Sequence, residues 1–174
     1  FRRMNWLPRD IAVDRRADGV IMLRSRIPLQ PIAPHIPSLL HRWASERPDH
    51  PWLAQRKGPD RQWHRVTYGR ARQQVDALTQ ALLNLRLPAG RPVAILSGNS
   101  IEHALFTLAA MQARLPVAPI STAYSLLSQD HAKLKDLFAL VQPAVVLVQD
   151  GVQFGKALAA LDLGDITIVH VDRA

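Results

Sequence analysis

Arg91-Pro92-Val93-Ala94-Ile95-Leu96-Ser97-Gly98-Asn99-Ser100-Ile101-Glu102 begins a run, continuing to Ser128, around which the rest of the chain is arranged. Val93 to Leu96 is a short apolar run closed by Ser97-Gly98, as expected of a buried strand that meets a turn. Asn99 is placed to cap a following helix, and Glu102, three residues on, to reach back to the cap's own N–H. From Ala104 to Met111 nearly every residue is apolar, so this helix is expected to be buried on more than one side. Pro116 to Ile120 reads as the next strand. A strand, a crossover helix and a strand in this order predict a right-handed βαβ unit with parallel strands.

The segments on either side extend this unit. Ile11 to Asp14 and Val20 to Arg24 flank a turn containing Asp18-Gly19 and predict a β-hairpin. Residues 27–37 carry Pro28, Pro31, Pro34 and Pro37 and are expected to be extended. Ser38 to Glu46 reads as a short helix with Leu39, Leu40, Trp43 and Ala44 on one side, ended by Pro48. Pro51 to Arg56 and Gln62 to Thr67 predict a second hairpin. Thr67 can then cap a long amphipathic helix in which Tyr68, Ala71, Val75, Leu78, Leu82 and Leu85 recur at steps of three and four. After the central unit, a helix from Ser128 buries Leu134, Leu137, Phe138 and Val141 and stops at Pro143. Ala144 to Val148 is a continuous apolar strand, as expected where both sheet faces are covered. A short helix, Phe154 to Leu161, and a last strand, Asp165 to Val171, follow. The expected organisation is α/β. Residues 1–66 supply hairpins, a proline-rich segment and a short helix, and residues 67–174 a βαβ-type subdomain, together one domain with its sheet incomplete.

Composition narrows the function classes. An apolar content of 48% in 174 residues fits a globular protein, and the absence of cysteine excludes disulfides and cysteine-based metal or redox sites. No apolar run reaches the roughly 18–20 residues a membrane helix needs, and the arginines near Phe1 precede no apolar core of a signal peptide. No membrane partner is expected, and a cytoplasmic location is. The chain begins with Phe1, so it is expected to be processed or a piece of a longer one. The net charge of +8 is uneven, since residues 1–72 balance at +9 and the remainder at −1. The arginines are scattered singly among acids and prolines. That pattern favours a solvated basic face, one that an acidic domain could cover, over nucleic-acid binding.

In open parallel sheets, ligands gather at the carboxyl ends of the strands. Those ends are Ser97-Gly98-Asn99-Ser100, Ser121-Thr122-Ala123-Tyr124 and Gln149-Asp150-Gly151. The first sets a polar turn on a helix N-terminus, but it lacks the lysine and multi-glycine turn of a phosphate loop and is no dinucleotide fingerprint. Asn99 is therefore read as a cap. Tyr124 is read as a ring packed at the sheet edge, His131 as a partly buried histidine and Asp130 as a partner of the following helix N-terminus. His103 and Glu102, adjacent on a helix, point in different directions. His41, Asp49 and His50 show no metal-ligand spacing. No catalytic, cofactor-binding or metal residue is assigned.

The run Arg91 to Glu102, preceded by the helix after Thr67-Tyr68, continues into Ala109-Ala110-Met111-Gln112-Ala113 and Pro116-Val117-Ala118-Pro119-Ile120-Ser121. Together these resemble the N-terminal part of AMP-forming acyl-CoA synthetases of the adenylate-forming superfamily. Pro119 to Lys135 and the first hairpin with its proline-rich follow-on look most like feruloyl-CoA synthetases. The family usually places a glycine after the buried helix, whereas Ala113-Arg114-Leu115 stands here, which implies a slightly different helix exit. The resemblance implies the partial N-terminal domain of the adenylate-forming fold, a mostly parallel sheet with flanking helices. It implies a two-step reaction in which an aromatic or acyl carboxylate attacks ATP, releasing pyrophosphate, and the thiol of coenzyme A displaces AMP. Magnesium assists by neutralising phosphate charge. The family's phosphate loop, nucleotide-binding residues, hinge and catalytic lysine lie downstream of the matched part. The 174 residues are thus expected to bind no cofactor by themselves and to be inactive, with the downstream half of the enzyme as a partner. A free-standing binding or regulatory module, and a basic nucleic-acid-binding protein, are the other readings.

Overall fold

The computed structural model describes residues 9–172. They fall in two compact units that divide between Pro34 and His35. The first unit holds the expected hairpin, β1 (Ile11–Arg15) paired antiparallel with β2 (Ile21–Ser25). Its turn is closed by the Asp18 carboxylate, which accepts from the Val20 N–H at 3.0 Å, and by Gly19 at φ +85°. From Ile27 to Pro34 the stretch after it contains neither helix nor strand, where Pro28, Pro31 and Pro34 fix φ and lack an N–H donor, whereas Pro37, expected to be extended, lies in a helix instead.

The second unit opens with α1 (Ile36–Glu46). It starts two residues earlier than the sequence predicts, because the His35 ring caps it by accepting from the Ser38 N–H at 3.1 Å, and Pro37 sits in the first turn, where no intrahelical N–H is needed. The second hairpin is β3 (Pro51–Lys57) with β4 (Gln62–Thr67). Thr67 ends β4 and caps α2 (Tyr68–Asn84), its side chain accepting from the Arg70 N–H. The core unit follows as β5 (Val93–Leu96), α3 (Ile101–Gln112) and β6 (Val117–Pro119). After it come α4 (Ala123–Leu126), α5 (Ala132–Val141), β7 (Val145–Asp150), α6 (Gly155–Ala159) and β8 (Thr167–Asp172).

The last four strands form one parallel sheet in the order β6-β5-β7-β8. Side chains alternate across it. Val93, Ile95, Val145 and Leu147 face a core shared with α1, α2 and α3, whereas Ala94, Leu96, Val146 and Val148 face a second core that includes Leu134 and Phe138 of α5 and Ala157 of α6. Both faces being covered explains the unbroken apolar runs of β5 and β7. It also explains why the connections through α3 and α5 lie on opposite faces. The chain steps from β5 to β6 in one direction and back past β5 to β7 in the other, and right-handed crossovers in opposite directions use opposite sides.

Around α4 and α5 the boundaries differ from expectation, and α6 and β8 are shorter than expected, Gly155–Ala159 and Thr167–Asp172. The segment after Ser121 holds α4, and α5 begins at Ala132 rather than at Ser128. Ser128 does not cap a helix. Its hydroxyl accepts from the His131 N–H at 3.0 Å, and His131 turns left-handed at φ +53° before α5 begins. On α2 the buried stripe includes Thr79, whose hydroxyl donates to the Val75 carbonyl at 2.7 Å, while Leu85 is the half-exposed C-cap.

Candidate functional site

The strand order places the sheet's topological switch point between β5 and β7, and the crevice at their carboxyl ends is the general ligand position of such sheets. Here the crevice is spanned by a side chain. Gln149 on β7 accepts with Oε1 from the Gly98 N–H at 2.9 Å, with the Ser97 hydroxyl at 3.1 Å from the same atom. Ser97 is buried and its hydroxyl also reaches the Gly98 carbonyl at 2.7 Å. The two strand ends are thus tied together by one amide.

At the N-terminus of α3 beside this crevice the Ile101 and His103 N–H groups have side-chain partners. The cap is Ser100, not Asn99, and the Ser100 hydroxyl accepts from the His103 N–H at 3.0 Å. Asn99 is exposed. Gln55, reaching across from β3, accepts from the Ile101 N–H at 3.0 Å. His103 sets Nδ1 3.2 Å from the Gly98 carbonyl. Glu102 does not reach back to the cap; it pairs with Lys57 of β3. Burial pushes the Glu102 carboxyl up, but the hydrogen bond from Lys57 and the positive charge around it outweigh that, and its pKa ends below the ordinary glutamate value. A cavity of about 310 Å³ lies between β3 and this turn, lined by Leu53, Gln55, Ser100 and His103 among others. With the Ile101 and His103 donors engaged by Gln55 and Ser100, the turn serves to seat α3 in the sheet rather than to cradle a phosphate.

The other singled-out residues make contacts of their own. Tyr124 sits on α4, packed on the second core, with the Lys133 ammonium 4.7 Å from its ring centroid. His131 is buried at 8% exposure, and Nδ1 lies 3.4 Å from the Tyr124 carbonyl. Asp130 accepts from the Ala132 N–H and from the Ser128 hydroxyl, both at 3.1 Å, and these bonds hold its carboxyl below the usual range. His41 joins Gln112 and Asp76 in a network across α1, α2 and α3. The His50 ring centroid lies 6.2 Å from that of Tyr68. Among the described residues no group of three or more histidine or acidic side chains could hold a metal ion. No helix among them is long and apolar enough to cross a membrane. Gln55, Lys57 and Gln149 were not singled out as contacts from the sequence, since their partners are distant in the chain.

Residues 40–173 match the family of AMP-binding enzymes. The chain belongs to this family. None of the curated proteins matches the chain. Solved structures share its fold. A fatty acyl-adenylate ligase from L. pneumophila, in complex with acyl adenylate and pyrophosphate, is 15% identical with a TM-score of 0.61, over 77% of this chain and 22% of that one. An artificially fused adenylation–PCP di-domain, NpsA-ThdA from Klebsiella oxytoca, is 19% identical with a TM-score of 0.59, over 77% and 23%. The Klebsiella oxytoca NpsA N-terminal subdomain bound to 3-hydroxybenzoyl-AMSN is 20% identical with a TM-score of 0.57, over 78% and 29%. The chain therefore spans less than a third of the length of these structures. Its α/β architecture is that of the N-terminal part of the adenylate-forming fold.

Proposed function

We propose that this chain is the N-terminal portion of an AMP-forming carboxylic acid–CoA ligase, similar to feruloyl-CoA synthetase, and that by itself it does not catalyse. The reaction would convert ATP, an aromatic or acyl carboxylate and coenzyme A into acyl-CoA, AMP and pyrophosphate. Family membership over residues 40–173 supports the adenylate-forming chemistry, and the run Pro119 to Lys135 supports the aromatic acid. The observation that carries the inactivity is the engaged crevice. Ser97, Gly98 and Gln149 satisfy one another, and the Ile101 and His103 donors of α3 are taken by Gln55 and Ser100. In this reading the strand ends form a scaffold, and ATP, magnesium and coenzyme A are held by segments that in the family follow it.

The test is pyrophosphate exchange into ATP. The purified 174-residue protein with ferulate and magnesium should give no exchange, and clear exchange would overturn the inactivity. An enzyme that carries this segment together with the family's phosphate loop should exchange with ferulate. A preference for long-chain fatty acids would reject the aromatic assignment and leave the ligase assignment standing.

A further inference from the structure

The β3–β4 hairpin has two unlike faces. One face turns Gln55 and Lys57 toward α3, where they hold Ile101 and Glu102. The other face carries the cross-strand pairs Arg56–Trp63 and Ala54–Arg65, with Arg61 at the turn at φ +53°. All five residues are exposed, Trp63 at 51%. The Arg56 guanidinium lies over the Trp63 indole, 4.8 Å from the ring centroid. Among the described residues none of Arg56, Arg61 and Arg65 makes an ion pair. The acid at this turn, Asp60, accepts from the Gln62 N–H.

We propose that this face docks an extended, carboxylate-rich segment of a partner protein. Arg56 and Arg65 are diagonal neighbours on one face, about 7–8 Å apart. An extended chain repeats its side chains on one side every two residues, at about 6.6–6.8 Å. Acids at alternate positions therefore meet both guanidinium groups in register. Stacking on Trp63 fixes the plane of Arg56 and leaves its N–H edge free, and a fixed fork binds a carboxylate through two parallel hydrogen bonds. Tryptophan and arginine are also the residues that most often anchor protein interfaces. A single-stranded nucleic acid fits less well, because base stacking needs an open aromatic face and Arg56 already lies on this one.

The test is fluorescence anisotropy of the intact protein with a labelled peptide of alternating glutamate and serine, and with an oligothymidine of equal charge. The peptide should bind, and the double variant Arg56→Gln/Arg65→Gln should weaken it by at least about tenfold. The charge-matched control Arg15→Gln/Arg16→Gln, on the other hairpin, should change it less than about twofold. Arg56→Lys keeps the charge and the fold but loses the planar fork, and should lose several-fold. Equal losses in the two double variants, an unaffected Arg56→Lys, or no peptide binding would overturn the proposal. Tighter binding of oligothymidine, lost in Arg56→Gln/Arg65→Gln, would assign the face to nucleic acid instead.

Discussion

Among single residues, Arg114 stands where the sequence resemblance leads us to expect a glycine. It follows α3 at φ +61°, where L side chains crowd the backbone. The Leu115 N–H bonds the Ala110 carbonyl at 2.9 Å and the Arg114 N–H the Met111 carbonyl at 3.1 Å, the two closures of a helix end that ordinarily uses glycine. The exit path is thus the usual glycine path, made with an arginine, rather than the altered exit the sequence suggested. Arg114→Gly should relieve strain and stabilise the protein by about 1 kcal/mol or less, after the extra freedom of glycine in the unfolded chain is counted. A higher urea midpoint at unchanged m would show it. Glu102 gives a pH prediction. Its pKa is lower folded than unfolded, so its contribution is present above the ordinary glutamate value and is lost as pH falls through the folded one. Stability against urea should decline across the acidic carboxylate range, and Glu102→Gln should flatten that decline. A profile identical in the variant would remove the Lys57–Glu102 pair as its cause.

At the scale of elements, the cap of α3 separates what the sequence shows from what it hides. Asn99 and Ser100 are both good cap residues, and only the backbone decides between them. Ser100 is extended at φ −146° and ψ 162° and its hydroxyl receives the His103 N–H. Ser100→Ala should cost about 1 kcal/mol, whereas Asn99→Ala should be nearly neutral in thermal unfolding. The central strands were legible because burial on both faces leaves only aliphatic side chains. Ile95 is fully buried, and Ile95→Ala should cost about 2–5 kcal/mol by calorimetry or denaturant unfolding. The start of α5 was not legible. Ser128 and Asp130 both resemble caps, but the left-handed turn at His131 displaces the helix by four residues. Nor did the sequence reveal the tie of Gln149 to Gly98, because a long-range hydrogen bond leaves no periodic trace along the chain.

At the scale of the molecule, Arg91 gathers the amino ends of three strands. It donates to the Gln142 carbonyl at 3.1 Å and the Pro143 carbonyl at 2.8 Å, just before β7, and forms a forked pair with Asp165, before β8, at 2.6 and 3.1 Å. The hydrogen-bonded pairing with Asp165 raises the Arg91 pKa and lowers that of Asp165. Arg91→Lys keeps a charge but not the fork, so it should lower the melting temperature and speed amide exchange at Ala144 and Thr167, the first bonded amides of the β5–β7 and β7–β8 seams. Unchanged exchange there would reduce Arg91 to a surface charge. The order β6-β5-β7-β8 also sets a timetable. The first strand of the sheet to leave the ribosome, β5, ends between two strands made after it. Until β7 emerges, Val93 to Leu96 is an aliphatic ribbon with at most one side paired, and closing the β5–β7 seam means bridging all of α3, β6, α4 and α5. Such distant parallel pairing is slow. The nascent chain therefore passes through a period in which its most apolar strand lacks a neighbour, and a chaperone or aggregation would compete for it during that interval.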